Sequence, residues 1–105
     1  MAKDIEYNTI TVFGKDNLSI GSEGVHVYNL QLVLYRLGFL SNKNECDGLF
    51  GKTTKDALMA FQSANYLRVD GVAGSKTKAE MMKKRLMDVQ HHMEDNDFSE
   101  MVYYH

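Results

Sequence analysis

A glycine-bounded loop occurs twice in this chain of 105 residues, and each copy runs directly into an amphipathic pattern. The first copy begins at Asp47-Gly48 and the second at Asp70-Gly71, an offset of 70 − 47 = 23 positions. Asp-Gly allows a tight turn, because glycine accepts positive φ and an aspartate side chain can bond to loop amides. Internal repeats constrain the architecture strongly. The predicted order is therefore loop, helix, loop, helix.

Three amphipathic segments predict helices near residues 25–37, 52–65 and 75–90, so the expected fold class is mainly all-α. Gly38 follows the first segment, where a left-handed C-terminal cap is expected. Thr54 and Thr77 fall in the first turns of the other two, where a hydroxyl can satisfy an unpaired backbone group. The expected core consists of Leu30, Leu34, Leu37, Leu58, Phe61 and Met82.

The predicted domain, residues 18–86, has a short arm on each side. Residues 1–17 are predicted to form an extended arm or strand, because residues 3–13 alternate loosely and are rich in β-branched and aromatic residues. Residues 87–105 indicate a helical extension with an aromatic end, because a disordered tail would be poorer in aromatics. The C-terminal arm is expected to pack either on the domain itself or on a partner, and arms of this kind can dock on a neighbour, so both arms are candidate contacts for protein partners.

Composition excludes several classes of function. The net charge is −2, so nucleic acid is not an expected partner. Cys46 is the only cysteine, which rules out an internal disulfide and a cysteine-based metal site. No apolar run is long enough for a membrane span. The stretch from Met1 to Glu6 lacks the apolar run of a signal peptide, so we expect no export by such a signal.

Three motifs in order resemble the small peptidoglycan-binding module found beside many cell-wall hydrolases. The resemblance covers residues 18–82, and it departs from the family at Tyr66, often a glycine there, and at Ala73, usually valine or isoleucine. It implies a compact three-helix bundle that binds bacterial cell wall, usually for targeting rather than catalysis. The motifs are Leu18-x-x-Gly21-Ser22-x-Gly24-Val25-x-Val27-x-x-Leu30-Gln31-x-x-Leu34-x-x-Leu37-Gly38-Phe39, then Asp47-Gly48-x-Phe50-Gly51-x-x-Thr54-x-x-Ala57-Leu58-x-x-Phe61-Gln62, then Leu67-x-x-Asp70-Gly71-x-Ala73-Gly74-x-x-Thr77.

No catalytic residue, cofactor or metal is expected. The flanks of the resembling region are too short for the hydrolase domains that accompany such modules. His91 and His92 lie near several acids, but adjacent residues on a helix point about 100° apart and do not converge on one ion.

Lysines at two predicted helix starts are the main candidates for ligand binding. A helix N-terminus favours acids, so lysines there run against local preference and could hold a carboxylate of a stem peptide. A solvated lysine face is the alternative. A glycan would instead need aromatic and amide side chains, although Gln31 and Gln62 can equally serve to tie helices to loops. The candidate ligand-binding residues are Tyr35, Asp47, Gly48, Lys52, Lys55, Gln62, Tyr66, Asp70, Gly71, Lys76 and Lys78.

Two functions remain open at this point. The first is non-catalytic binding of peptidoglycan, through glycan or stem peptide, by a phage-encoded virion or lysis accessory module. Such a module would face the wall after phage release or as part of a virion, and would otherwise be cytoplasmic. The second is a structural or interaction protein, for example a virion assembly component, that reuses the fold for protein–protein contacts.

Overall fold

The computed structural model describes residues 9–91, and the side chains of residues 9–85. Its main helices are α1 (Val25–Arg36), α2 (Lys52–Ala64) and α3 (Ser75–His91), with a 3-10 turn at Lys43–Glu45. The three predicted helices are thus confirmed, with ends within one residue of the prediction. Among the helices in the described part of the chain, none is long and apolar enough to cross a membrane.

Residues 9–13 are helical, so the prediction of an extended arm or strand is wrong for this part of residues 1–17. Thr9, Val12 and Phe13 are buried, whereas Ile10 is 55% exposed. This is the i, i+3, i+4 spacing of a helix, whereas a strand would turn Val12 and Phe13 to opposite faces. Packing of both side chains into the core therefore outweighs the β-propensity of the segment.

The core confirms most of the predicted set. Leu30, Leu34, Leu58, Phe61 and Met82 are fully buried. Phe61 also meets Phe39 edge to face, with ring centroids 5.6 Å apart. These contacts come from α1, α2 and α3, so the three helices share one core.

Leu37 is the exception among the predicted core residues, because it is only partly buried. It is the C-cap residue of α1, where the chain leaves the helix for the turn at Gly38. α3 crosses position 86 without a break, so residues 87–91 extend the helix as predicted. The aromatic end predicted within residues 87–105 lies outside the described residues.

The stretch of residues 18–23 joins the two predicted loops. Leu18 pairs with Ala73 and Glu23 pairs with Leu49, each in an antiparallel bridge. Both backbone bonds of the Leu18–Ala73 pair are present, at 3.2 and 2.8 Å. The bridges place residues 21–23 beside the first loop and Leu18 beside the second, which fixes both loops relative to α1.

The glycines of the two Asp-Gly turns should resist substitution by a β-branched residue. Gly48 and Gly71 have φ of 78° and 70°, whereas Gly51 has φ of −107° and open space where a Cβ would lie. We expect Gly48→Thr and Gly71→Thr each to lower the free energy of unfolding by about 1–3 kcal/mol. Gly51→Thr is the matched control, since threonine is acceptable at a helix N-cap.

Urea denaturation of the three variants measures the effect. Gly51→Thr should stay within about 0.5 kcal/mol of the unmodified chain. Equal losses at all three positions would show that positive φ is not the cause.

Candidate functional site

A buried glutamine of α1 holds the first loop, which we define as residues 47–51. The Gln31 side chain is fully buried, and its Oε1 accepts the Gly48 N–H at 2.8 Å. Its Nε2 donates to the Leu49 carbonyl at 3.0 Å, Thr54 Oγ1 at 2.9 Å and Asp47 Oδ1 at 3.2 Å. One side chain thereby connects α1, the first loop and the start of α2.

A glutamine of α2 makes the corresponding contacts to the second loop, residues 70–74, and accepts one further backbone N–H there. Gln62 Oε1 accepts the N–H groups of Asp70 and Gly71 at 3.1 and 3.0 Å. Its Nε2 donates to Asp70 Oδ1 at 3.0 Å, the Val72 carbonyl at 3.1 Å and Thr77 Oγ1 at 3.2 Å. Each helix therefore positions the loop that precedes the next helix.

These contacts decide between two interpretations of the glutamines. Gln62 is fully buried and its amide bonds to the second loop and to Thr77, so the structure favours its alternative role of tying a helix to a loop over a ligand contact. Thr54 and Thr77 are also buried, and their hydroxyls accept from Gln31 and Gln62. The expectation that they would satisfy backbone groups is therefore replaced by this side-chain contact.

The two loop aspartates are exposed, but their carboxylates also stabilise the loops by accepting hydrogen bonds from loop N–H groups. Asp47 Oδ1 accepts the Leu49 N–H and Asp70 Oδ1 accepts the Val72 N–H, both at 3.0 Å. These backbone bonds, with a smaller contribution from the glutamine amides, lower the pKa of both carboxyl groups. The two carboxylates thus stay ionised at neutral pH.

An open groove of about 580 Å³ lies beside the first loop, and we call it the loop groove. Its walls come from residues 21–23, residues 44–45, the first loop and the start of α2. The Leu49 side chain at its edge is 57% exposed, which leaves an apolar surface next to polar groups. The remaining polar side chains of the lining are Ser22, Glu23, Asn44, Glu45, Asp47, Lys52, Thr53 and Thr54.

The four candidate lysines do not share one environment. Lys52 lines the loop groove and pairs with Asp56 at 2.7 Å, with its own side chain 86% exposed. The Lys55 stem lies over the second loop, where a Cβ on Gly71 would come within 3.0 Å of it. Lys76 is exposed. The proposed anion site at the two helix starts therefore has two exposed lysines, Lys76 and Lys52, and Lys52 is paired with Asp56.

The surroundings of Lys78 indicate a structural role and argue against its prediction as a ligand contact. The side chain is buried, and its ammonium donates to the carbonyl of Gly14 at 3.0 Å and to that of Asp16. Burial lowers the pKa of Lys78. The Asn29 amide similarly donates to the Val12 carbonyl at 2.9 Å. Together these side chains attach the N-terminal helical segment to α1 and α3.

The remaining candidate ligand-binding residues also differ in their exposure to solvent. Tyr35 is partly buried against the core, whereas Tyr66 is 98% exposed. Gly48 and Gly71 are buried, so these glycines shape the loops and offer no side chain to a ligand. Of the predicted site residues, Asp47 and Lys52 are the ones that line the loop groove.

Sequence reasoning missed much of the loop groove. Ser22, Glu23, Asn44, Glu45, Leu49 and Thr53 belong to its lining. The bridge between Glu23 and Leu49 brings two of its walls together across 26 positions (49 − 23 = 26), which no local pattern reveals. The sequence did offer one indication of this lining, because residues 44–45 lie just before the Asp-Gly turn that begins at residue 47.

The structure shows no group of three His, Cys, Asp or Glu that could hold a metal ion within its described residues. His92 and the acids that follow it lie outside them. Cys46, in the described part, forms no disulfide and is of intermediate burial.

Comparison with known proteins assigns the central part of the chain to a protein family. The family described as "Putative peptidoglycan binding domain" matches residues 23–81. The spore cortex-lytic enzyme of Bacillus cereus is 36% identical over 88 residues, which are 84% of this chain and 33% of that enzyme. The enzyme of the same name from Oceanobacillus iheyensis is 35% identical over 85 residues, or 80% of this chain and 30% of that enzyme.

A solved structure supports the same assignment. The crystal structure of the SleB N-terminal domain has a TM-score of 0.65 and 40% sequence identity to this chain. The match covers 69% of this chain and 96% of that domain. The chain thus corresponds to a nearly complete domain of known structure, while it spans about a third of the length of the curated relatives it matches.

Proposed function

Since the chain belongs to the peptidoglycan-binding domain family, we propose that it binds bacterial peptidoglycan without catalysis, through the loop groove. The observation that carries this proposal is the groove itself, because nearly all of its lining falls within the residues that the family matches. Binding sites combine a concave shape with a few fixed polar groups. The Gln31 network holds one wall of this groove in place, so the site is formed before the ligand arrives.

The charges of the groove favour glycan over a free carboxylate. Glu23, Glu45 and Asp47 line it, against the single cation Lys52. Three carboxylates repel an anionic ligand, and Lys52 is already paired with Asp56. Hydroxyl and amide groups of a saccharide can bond to carboxylates, threonines and Asn44 without this repulsion. We therefore favour glycan contacts over the carboxylate site first expected at the helix starts.

The biological setting of the binding is a separate part of the proposal. A phage-encoded virion or lysis accessory stays our prediction for the protein. The names of the relatives support a second setting, in which the module brings a lytic enzyme to the cortex of a spore. Both settings require the same ligand class, so one binding experiment tests the common part.

Co-sedimentation with purified sacculi tests the groove. We expect Thr53→Trp, which places a bulky ring on an exposed position of the lining, to weaken binding at least tenfold, about 1.4 kcal/mol. Lys83→Ala is the matched control, since this exposed lysine of α3 does not line the groove. Unchanged binding by Thr53→Trp would move the site elsewhere on the domain.

A second pair of changes tests the carboxylate site. Lys52→Glu combined with Lys76→Glu reverses both available charges while sparing Lys78, whose ammonium holds two carbonyls. We expect binding to stay within twofold of the unmodified chain, and equally in 1 M salt, where charge contacts are screened. Because Lys52 also lines the loop groove, the deciding result is Lys76→Glu alone: a large loss at this lysine outside the groove lining would restore the carboxylate site.

If the unmodified chain sediments with no type of sacculus, the wall-binding proposal fails. The alternative, a structural protein that reuses the fold for protein–protein contacts, would then be favoured.

A further inference from the structure

Two helices of this fold end in the same way but with different residues. At the end of α1, Phe39 N donates to the Leu34 carbonyl at 2.8 Å and Gly38 N to the Tyr35 carbonyl at 3.0 Å. This pair of bonds is a Schellman motif, which needs a left-handed residue at its centre. Gly38 fills that position with φ of 90°. Glycine is the residue expected there, because it has no Cβ to clash.

The end of α2 repeats this motif with a tyrosine. Leu67 N donates to the Gln62 carbonyl at 2.9 Å and Tyr66 N to the Ser63 carbonyl at 3.3 Å. Tyr66 has φ of 58° and is the one residue other than glycine with positive φ in the described part of the chain. The left-handed conformation is unfavourable for a residue with a Cβ. Tyr66 therefore occupies a position that Gly38 shows to be better filled by glycine.

The Tyr66 side chain makes no contribution to folding stability that would offset this backbone strain. It is 98% exposed, so its ring removes almost no apolar surface from water on folding. A residue that is both strained and fully exposed has no structural reason to be aromatic. Such conflicts between local preference and sequence occur at functional positions.

We propose that the Tyr66 ring is a saccharide-stacking contact for the glycan of peptidoglycan, separate from the loop groove. This inference rests on the proposed function of the chain. Tyrosine presents a flat apolar face with a hydroxyl at its tip, which suits the C–H face and hydroxyls of a sugar ring. Tyrosine is also among the residues that most often dominate the binding energy of an interface.

The surroundings of Tyr66 favour an uncharged ligand. Arg68 Nε lies 3.9 Å from Asp70 Oδ2, so the nearby cation has a counter-charge within this loop. Val69, three positions further along the chain, is also 46% exposed. An exposed aromatic ring near a cation that already has a counter-charge suits a sugar better than the charged groups of a stem peptide.

The position of Tyr66 also favours a polymer. The loop groove is at the start of α2 and Tyr66 follows its end, about 18 Å away at 1.5 Å per residue. A small ligand cannot reach both places, whereas the wall polymer can engage both at once. Two contacts on one polymer raise the overall affinity without strengthening either contact alone.

The experiment compares three substitutions at position 66 by co-sedimentation with intact sacculi and by calorimetric titration with the soluble glycan strands that remain when stem peptides are removed. Tyr66→Gly and Tyr66→Asn remove the ring and tolerate the left-handed conformation, and Tyr66→Phe keeps the ring. We expect the two ringless variants to bind about tenfold more weakly both to sacculi and to the peptide-free glycan strands, and Tyr66→Phe to bind within twofold of the unmodified chain. The melting temperature of Tyr66→Gly should be unchanged or higher, because the strain is relieved.

Three results would count against the inference. Equal binding of the ringless variants and the unmodified chain would show that the ring contacts no wall component. Dependence on the ring that disappears when stem peptides are removed would assign the ring to a peptide instead of a sugar. The ringless substitutions are also made in the Thr53→Trp variant. If they weaken its binding further, the ring and the loop groove are two separate contacts; if they have no further effect, that separation is overturned. Failure of the unmodified chain to bind any sacculus would instead overturn the proposed function itself.

Discussion

Replacing Phe61 by alanine should lower the free energy of unfolding by about 3–5 kcal/mol, the usual cost of removing a buried phenylalanine. Phe61 is fully buried in α2 and meets Phe39 edge to face at 5.6 Å. The lost side chain would leave a cavity among residues from three helices, which a rigid bundle closes only in part. A domain of this size is stabilised by roughly 5–15 kcal/mol, so the variant should approach unfolding.

Thermal and urea denaturation followed by circular dichroism measure this effect. Phe61→Leu should show a smaller loss, because it retains most of the buried apolar volume. Ser63→Ala is a control on the same helix, since Ser63 is exposed. A melting temperature for Phe61→Ala equal to that of Ser63→Ala would contradict the placement of Phe61 in the core.

Replacing Gln31 by leucine should cost about 2–4 kcal/mol, even though leucine has a similar size and is a good helix former. The buried Gly48 N–H would lose its acceptor at 2.8 Å, and Thr54 Oγ1 would lose its donor at 2.9 Å. A buried polar group without a partner costs about 1–3 kcal/mol, and this change leaves more than one. The first loop should loosen together with the loss of stability.

Two further variants test that explanation. Gln62→Leu should cost a similar amount, because Gln62 makes the equivalent bonds to Gly71 and Thr77. Thr54→Val removes one acceptor while leaving Gln31 its bonds to the loop backbone, so it should cost about 1 kcal/mol. If Gln31→Leu were as stable as the unmodified chain, the glutamine would be a filler and not the residue that holds the loop.

The same Gln31→Leu variant connects the fold to the proposed function. Gln31 bonds to Leu49 and Gly48 of the loop that forms one wall of the groove. We expect its binding to sacculi to weaken even at a temperature where the variant is folded. This effect would follow from loss of a preformed site, because Gln31 is buried and does not itself contact a ligand.

Local patterns in the sequence determined the helices and most of the core. The apolar spacing of α1 and α2 predicted their ends within one residue, and it predicted that Leu30, Leu58 and Phe61 would be buried. The Asp-Gly pairs predicted two turns, and both glycines have positive φ. These features were predictable because helix periodicity and turn chemistry act between residues that are close in the chain.

Only the tertiary structure decided the features that join distant residues. The segment of residues 9–13 is helical because Val12 and Phe13 enter a core built by α1, α2 and α3. Lys78 resembled a surface lysine in the sequence. In the structure its ammonium donates to the carbonyls of Gly14 and Asp16, which precede it in the chain by 64 and 62 positions. The loop groove forms where residues 21–23 meet the first loop. A single sequence carries no signal for such contacts, since their energy arises only when the folded chain brings the partners together.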